Sequence, residues 1–92
     1  MENYSVEYHF DLISKLVVDI RKVRTSLKIS NKKSITAQFK SDLFYLYLLF
    51  EGMHILKYMC NLSNIELTQD LVDSKNKVIL TLGPVACYLN TN

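Results

Sequence analysis

The apolar residues Val6, Phe10, Ile13, Val17, Ile20 and Leu27 follow one another at steps of four, three, four, three and seven. Only a helix returns a chain to one face at those intervals, so residues 5–27 read as a single helix of about six turns. Leu12, Leu16 and Val23 form a second line that widens the stripe, and Asp11, Lys15 and Asp19 at four-residue spacing supply ion pairs on an outer side. A helix this long needs a core beneath it and is expected to pack partly on something beyond its own segment. The position skipped in its apolar line is Arg24.

The periodicity then changes. Ser26, Ser30 and Asn31, whose side chains compete for backbone hydrogen bonds, predict the end of the helix over residues 27–30. Ile35, Ala37 and Phe39 alternate with Thr36, Gln38 and Lys40, the period of a half-buried strand. Ser41 and Asp42 can cap a second helix over residues 43–60, apolar on more than half its circumference and therefore central to the core or to an interface. Residues 65–69 read as a short strand and 70–76 as a polar loop. Residues 77–82 and 85–90 read as two strands joined by Gly83-Pro84 in a hairpin. The predicted fold is α+β: a long N-terminal helix, then a small β-α-β-β unit with a mostly antiparallel sheet and helices on one side.

With 92 residues, of which 49% are apolar, the chain suffices for one small fold, so residues 1–30 and 31–92 are expected to form one compact fragment. Its charge is uneven. Arg21, Lys22, Arg24, Lys28, Lys32 and Lys33 fall in a stretch that holds no acid, while the rest of the chain is acidic on balance. A basic patch of this kind suits a polyanion, and it equally suits a solvated helix end whose cations face the negative pole of the helix dipole. Cys60 and Cys87 lie in apolar settings without further cysteines, as buried reduced thiols do. The longest apolar run, residues 43–50, is far short of the ~20 residues of a membrane span. An intracellular chain is expected.

No constellation of side chains points to chemistry. His9 and His54 sit on different helices without carboxylate or cysteine at ligand spacing, and read as partly buried helix residues. The Asp73-Ser74-Lys75-Asn76-Lys77 loop lacks the glycines of a phosphate loop and reads as solvated. Tyr45, Tyr47 and Tyr58, on the apolar second helix, read as core residues before base-stacking ones. Arg21, Arg24 and Lys28 differ: steps of three and four align them along one ridge that leads to Lys32 and Lys33. These five are the candidates for contact with RNA phosphates, with a partner's carboxylate the alternative for Arg24.

The order of these pieces resembles a known family. V-V-D-I-R-K-V-R-T-S-L-K-I, followed by S-N-K-K and a strand, is similar to the pattern I-R-x-I-R-x-E-x-x-I-x-P-x-K of bacterial and organellar valyl-tRNA synthetases. I-L-K-Y-M-C-N-L-S-N-I-E-L resembles that family's next helix and strand, and V-I-L-T-L-G-P-V-A-C-Y-L its hairpin. The likeness spans about residues 16–92. Ser26 stands where the family has Glu, and Ser30 or Asn31 where it has Pro, so a rigid turn before Lys32 is not implied.

The resemblance implies a C-terminal segment of a ligase that joins valine to tRNA with ATP and magnesium. Residues 1–30 would be the last helix of the anticodon-binding bundle and residues 31–92 the small α/β unit after it. The segment itself would carry no catalytic residue, metal or cofactor. Its partners would be tRNA and the remainder of the synthetase chain, not DNA or a membrane, in the cytoplasm or an organelle matrix. The competing expectation is a protein-interaction or dimerisation module without RNA binding.

Overall fold

In the computed structural model, which describes residues 2–30 and 32–91 with side chains from residue 11 onward, helix α1 (Glu2–Ser26) precedes strand β1 (Ile35–Lys40). Two helices, α2 (Leu43–Glu51) and α3 (Met53–Cys60), lead to β2 (Leu62–Thr68), and a hairpin of β3 (Val78–Leu82) and β4 (Val85–Asn90) follows. The strands form one sheet in the order β2-β1-β4-β3. β1 pairs antiparallel with β4, β4 with β3, and β1 parallel with β2. The fold is α+β with a mixed, mostly antiparallel sheet.

The parallel pair follows from the connection. Adjacent parallel strands need a crossover of a dozen residues or more, and α2 with α3 supplies it. Two features depart from the sequence reading here. The helix expected over residues 43–60 is broken at Gly52, a buried residue that closes α2 by donating its N–H to the Leu48 carbonyl at 3.2 Å and precedes α3 without a side-chain cap. Glycine is the poorest helix former after proline, so the break falls where the helix is weakest. The second strand starts at Leu62, three residues before the reading from alternation. Its buried residues Leu62 and Ile65 are three apart because the register with β1 shifts between Ile35 and Thr36, pairing Leu62 with Ile35 and Ile65 with Ala37. A bulge of this kind keeps both side chains on the core face while hiding the period of two.

Other local signals hold. Asp42 caps α2, its carboxylate accepting from Tyr45 N at 3.1 Å. Gly83 has φ +58 and precedes proline between the paired Leu82 and Val85, the positive-then-negative φ order of a II′ hairpin turn. Ser41, buried at the end of β1, donates its hydroxyl to Pro84 O at 2.9 Å and its N–H to Thr68 O at 3.2 Å, tying the hairpin turn and β2 to the same corner.

The helices cover one face of the sheet. Ile35, Ala37 and Phe39 of β1 and Val85, Cys87 and Leu89 of β4 meet Leu12, Ile13, Leu16, Val17 and Ile20 of α1 and Leu48, Leu49, Leu56 and Cys60 of α2 and α3. Both lines of the α1 stripe are thus buried from residue 12 to residue 20, Val23 packs against the core half-buried, and the stripe ends at Leu27, which is exposed. Val6, Phe10 and His9 lie outside the described side chains. Two sequence readings are corrected at the surface: His54 is exposed, and so are Tyr47 and Tyr58, which point away from the core.

Neighbouring residues on α2 make the division testable. Leu49 is fully buried while Phe50 is 61% exposed. Leu49→Ala is expected to lower the free energy of unfolding by ~2–5 kcal/mol through transfer and cavity terms, whereas Phe50→Ala stays within ~0.5 kcal/mol. Urea unfolding of both variants measures the difference.

Candidate functional site

Helix α1 ends in a Schellman motif. Ile29 N donates to Arg24 O at 2.9 Å and Lys28 N to Thr25 O at 3.1 Å, and Lys28 takes the left-handed conformation, φ +59, at the position glycine usually fills. Ile29, the residue after it, packs against the core. The chain then turns through a further hydrogen bond from Lys33 N to Ser30 O at 3.0 Å and enters β1.

Arg24 closes this turn from inside. It follows Ile20 by four residues, which puts it on the buried face of α1, and only 3% of it is exposed. Its Nη2 donates to Ser30 O at 2.6 Å and to Lys33 O at 2.5 Å. The expected outer ridge of Arg21, Arg24 and Lys28 is therefore corrected. Arg24 lies inward, and Lys28 is past the last helical turn. The carbonyls of the turn supply the acceptors a desolvated guanidinium requires, so no partner carboxylate is needed to keep it charged. Its Nη1 is buried and, among the described residues, has no hydrogen-bond partner.

The other candidates are spread around the turn. Arg21 and Lys32 are exposed, as is Lys28. Lys33 is exposed as well, and its ammonium donates to Thr91 O at 3.0 Å, fastening the turn to the end of β4. Lys22, outside the five candidates, also faces solvent beside Arg21 and belongs to the same positive surface. Among the described residues the only ion pair is Lys15 with Asp11 at 3.1 Å, and none of them sets a carboxylate against the cations at this end of α1.

Between the last turns of α1 and the end of α3 lies a pocket of about 240 Å³ lined by Arg21, Arg24, Tyr58, Met59, Cys60 and Asn61. Asn61 ends α3 in the left-handed conformation, φ +53, its N–H donating to Lys57 O. Burial pushes the Cys60 thiol up to about 11, against the pull of the Arg21 and Arg24 cations, and burial with the nearby Cys60 pushes Cys87 up to about 12. Both thiols are thus protonated at neutral pH, and neither is in a disulfide. The Cys60 Sγ–H faces Val17 O at 4.0 Å.

The outer face of α2 and α3 is apolar and uncovered. Leu43, Phe44, Tyr47 and Phe50 on α2 and Ile55, Tyr58 and Met59 on α3 are all exposed, Tyr58 by 86%. The breadth of the apolar surface is readable in the sequence; which half of it faces outward is not. On the outer side of the sheet, Lys77 Nζ donates to Gln38 Oε1, and Gln38 Nε2 to Glu66 Oε1 at 2.7 Å, a cross-strand chain that satisfies these groups among themselves.

In comparisons with known proteins, no family model matches the chain and no curated protein matches it.

Two outcomes follow from this geometry. Lys28→Gly removes the steric cost of a left-handed non-glycine residue and should raise stability by ~1 kcal/mol, read from the urea midpoint. The thiols carry a pH dependence. Because folding raises their pKa values above the ordinary 9.0, the native state keeps protons that the unfolded state has lost above pH 9. Their contribution to stability is intact below that value and declines as the pH rises toward 11. Melting curves between pH 8 and 11 should show a steeper alkaline fall for the native sequence than for Cys60→Ala with Cys87→Ala.

Proposed function

We propose that this chain binds tRNA as the C-terminal part of a valyl-tRNA-synthetase-like ligase, positioning the RNA while the chemistry takes place elsewhere in the parent protein. The observation that carries this reading is the set of exposed cations Arg21, Lys22, Lys28 and Lys32 around the exit of α1, none of them paired with a carboxylate among the described residues. Cations of this kind hold phosphates and gain affinity from released counterions. The succession of a long helix, a strand, a helical crossover, a second strand and a hairpin also agrees with the order in which the resembling segments occur. In this reading Arg24 shapes the turn, Lys33 anchors it to β4, and Arg21, Lys28 and Lys32 meet the RNA. ATP, magnesium and valine belong to other parts of the parent enzyme, in the cytoplasm or an organelle matrix. No helix among the described residues is long and apolar enough to cross a membrane.

The joint variant Arg21→Gln, Lys28→Gln, Lys32→Gln tests the reading, since all three side chains are exposed and their replacement leaves the core intact. Fluorescence anisotropy with tRNA over a range of salt concentrations should show weaker binding. The slope of log K against log salt should become shallower by roughly 0.7–0.9 for each phosphate that the variant no longer neutralises. Unchanged affinity and slope would remove the RNA role.

A second reading is favoured by one observation, the uncovered apolar face of α2 and α3. Contiguous exposed apolar surface marks protein contact sites. In this reading the module docks on a protein, another copy included, through Phe44, Tyr47 and Phe50. Sedimentation should then reveal a concentration-dependent dimer that Tyr47→Ser with Phe50→Ser dissolves and tRNA leaves unchanged. A monomer at all concentrations would exclude the self-association form.

A further inference from the structure

We propose that the pocket between the last turns of α1 and the end of α3 binds one phosphate group, held between the guanidinium groups of Arg21 and Arg24. Three observations meet there. The first is an unspent donor: Arg24 uses Nη2 on Ser30 O and Lys33 O, yet its Nη1 is buried with no partner among the described residues. Buried donors without acceptors are rare in folded proteins, and the residue that carries this one lines the pocket. The second is charge. Arg21, exposed, and Arg24, one turn on and turned inward, both line the pocket, and among the described residues neither pairs with a carboxylate. Two planar forks at one cavity suit the oxygens of a phosphate, which can accept from both.

The third is size and surroundings. At about 240 Å³ the pocket falls below the roughly 300–1,000 Å³ typical of sites for drug-sized ligands, so it suits a single anionic group rather than a whole cofactor. The Cys60 thiol in its wall stays protonated and adds no negative charge, and the arginines are close enough to it to act on its ionisation. They act on an incoming anion in the same way. Tyr58 stands exposed at the rim, with an aromatic face free to stack on a base attached to the phosphate.

The source of the phosphate rests on the RNA reading; the pocket itself does not. The test uses the full 92-residue chain. Amide and arginine side-chain resonances are followed while inorganic phosphate is added at constant ionic strength. A stem-loop RNA with a tRNA anticodon arm is then added to the phosphate-loaded protein.

Saturable shifts centred on Cys60, Asn61 and the Arg24 side chain are expected. Arg21→Gln, an exposed position, should weaken phosphate about tenfold without moving the melting temperature, the effect of removing one charge-assisted hydrogen bond. Arg24→Lys, which keeps the charge but not the fork, should weaken it too. Displacement of phosphate by the RNA, with Tyr58→Ala weakening RNA but not phosphate, assigns the pocket to an RNA phosphate. Saturable phosphate binding that the RNA does not displace keeps the pocket and assigns it to free phosphate, the RNA reading being decided separately by the triple variant. Shifts that grow linearly, or spread equally over Lys28, Lys32 and the other surface cations, overturn the proposal.

Discussion

The structure depends on a buried cation that, among the described residues, has no anion. Taking a guanidinium out of water costs several kcal/mol unless its donors are met, and Arg24 is met on one side by the carbonyls of Ser30 and Lys33. That arrangement fixes where α1 ends, how the following turn folds and where β1 begins. Among the described residues it does so without a carboxylate, so none of them cancels this positive charge beside Arg21. Arg24 lies inside the junction rather than among the surface cations, and its hydrogen bonds hold the turn that carries Lys28 and Lys32.

Around that junction the molecule has two unlike sides. One is cationic and built from the end of α1 and the turn after it. The other, the outward half of α2 and α3, is aromatic and aliphatic. Tyr58 belongs to both, since it lies on the apolar face and also on the rim of the arginine pocket. A ligand with phosphates and flat bases and a protein with an apolar patch would compete for this tyrosine. The RNA-binding and docking readings are therefore coupled at one side chain rather than separated across the molecule.

Much of this is legible in the residues. The helical step sizes of α1, the alternation from Ile35 to Lys40, the Asp42 cap and the Gly83-Pro84 turn are local patterns, and local patterns survive in any tertiary context. What is not legible depends on partners distant in sequence. The first three residues of β2 hide because its bulge is defined by the register with β1. The parallel pairing depends on the crossover. Gly52 could have sat in a continuous helix at a cost of only ~1 kcal/mol, and packing decided otherwise. Arg24 visibly interrupts the stripe, but its acceptors are carbonyls six and nine positions away, which no side-chain pattern announces. The tyrosines escape for a related reason: composition measures how apolar a helix is, not which half meets the sheet.

The strand order has a consequence for how the chain reaches this state. β4 comes last among the strands, yet it lies inside the sheet, with Thr36 opposite Asn90 and Leu82 opposite Val85. Until it is inserted, β1 and β3 each present an open edge and β1 lacks one of its two neighbours. Sheet closure joins residues far apart in the chain, a topology that slows folding and leaves intermediates open to strand exchange. During synthesis the core residues of α1, α2 and α3 must therefore wait, gathered but unsealed, until the hairpin emerges and slides into the gap.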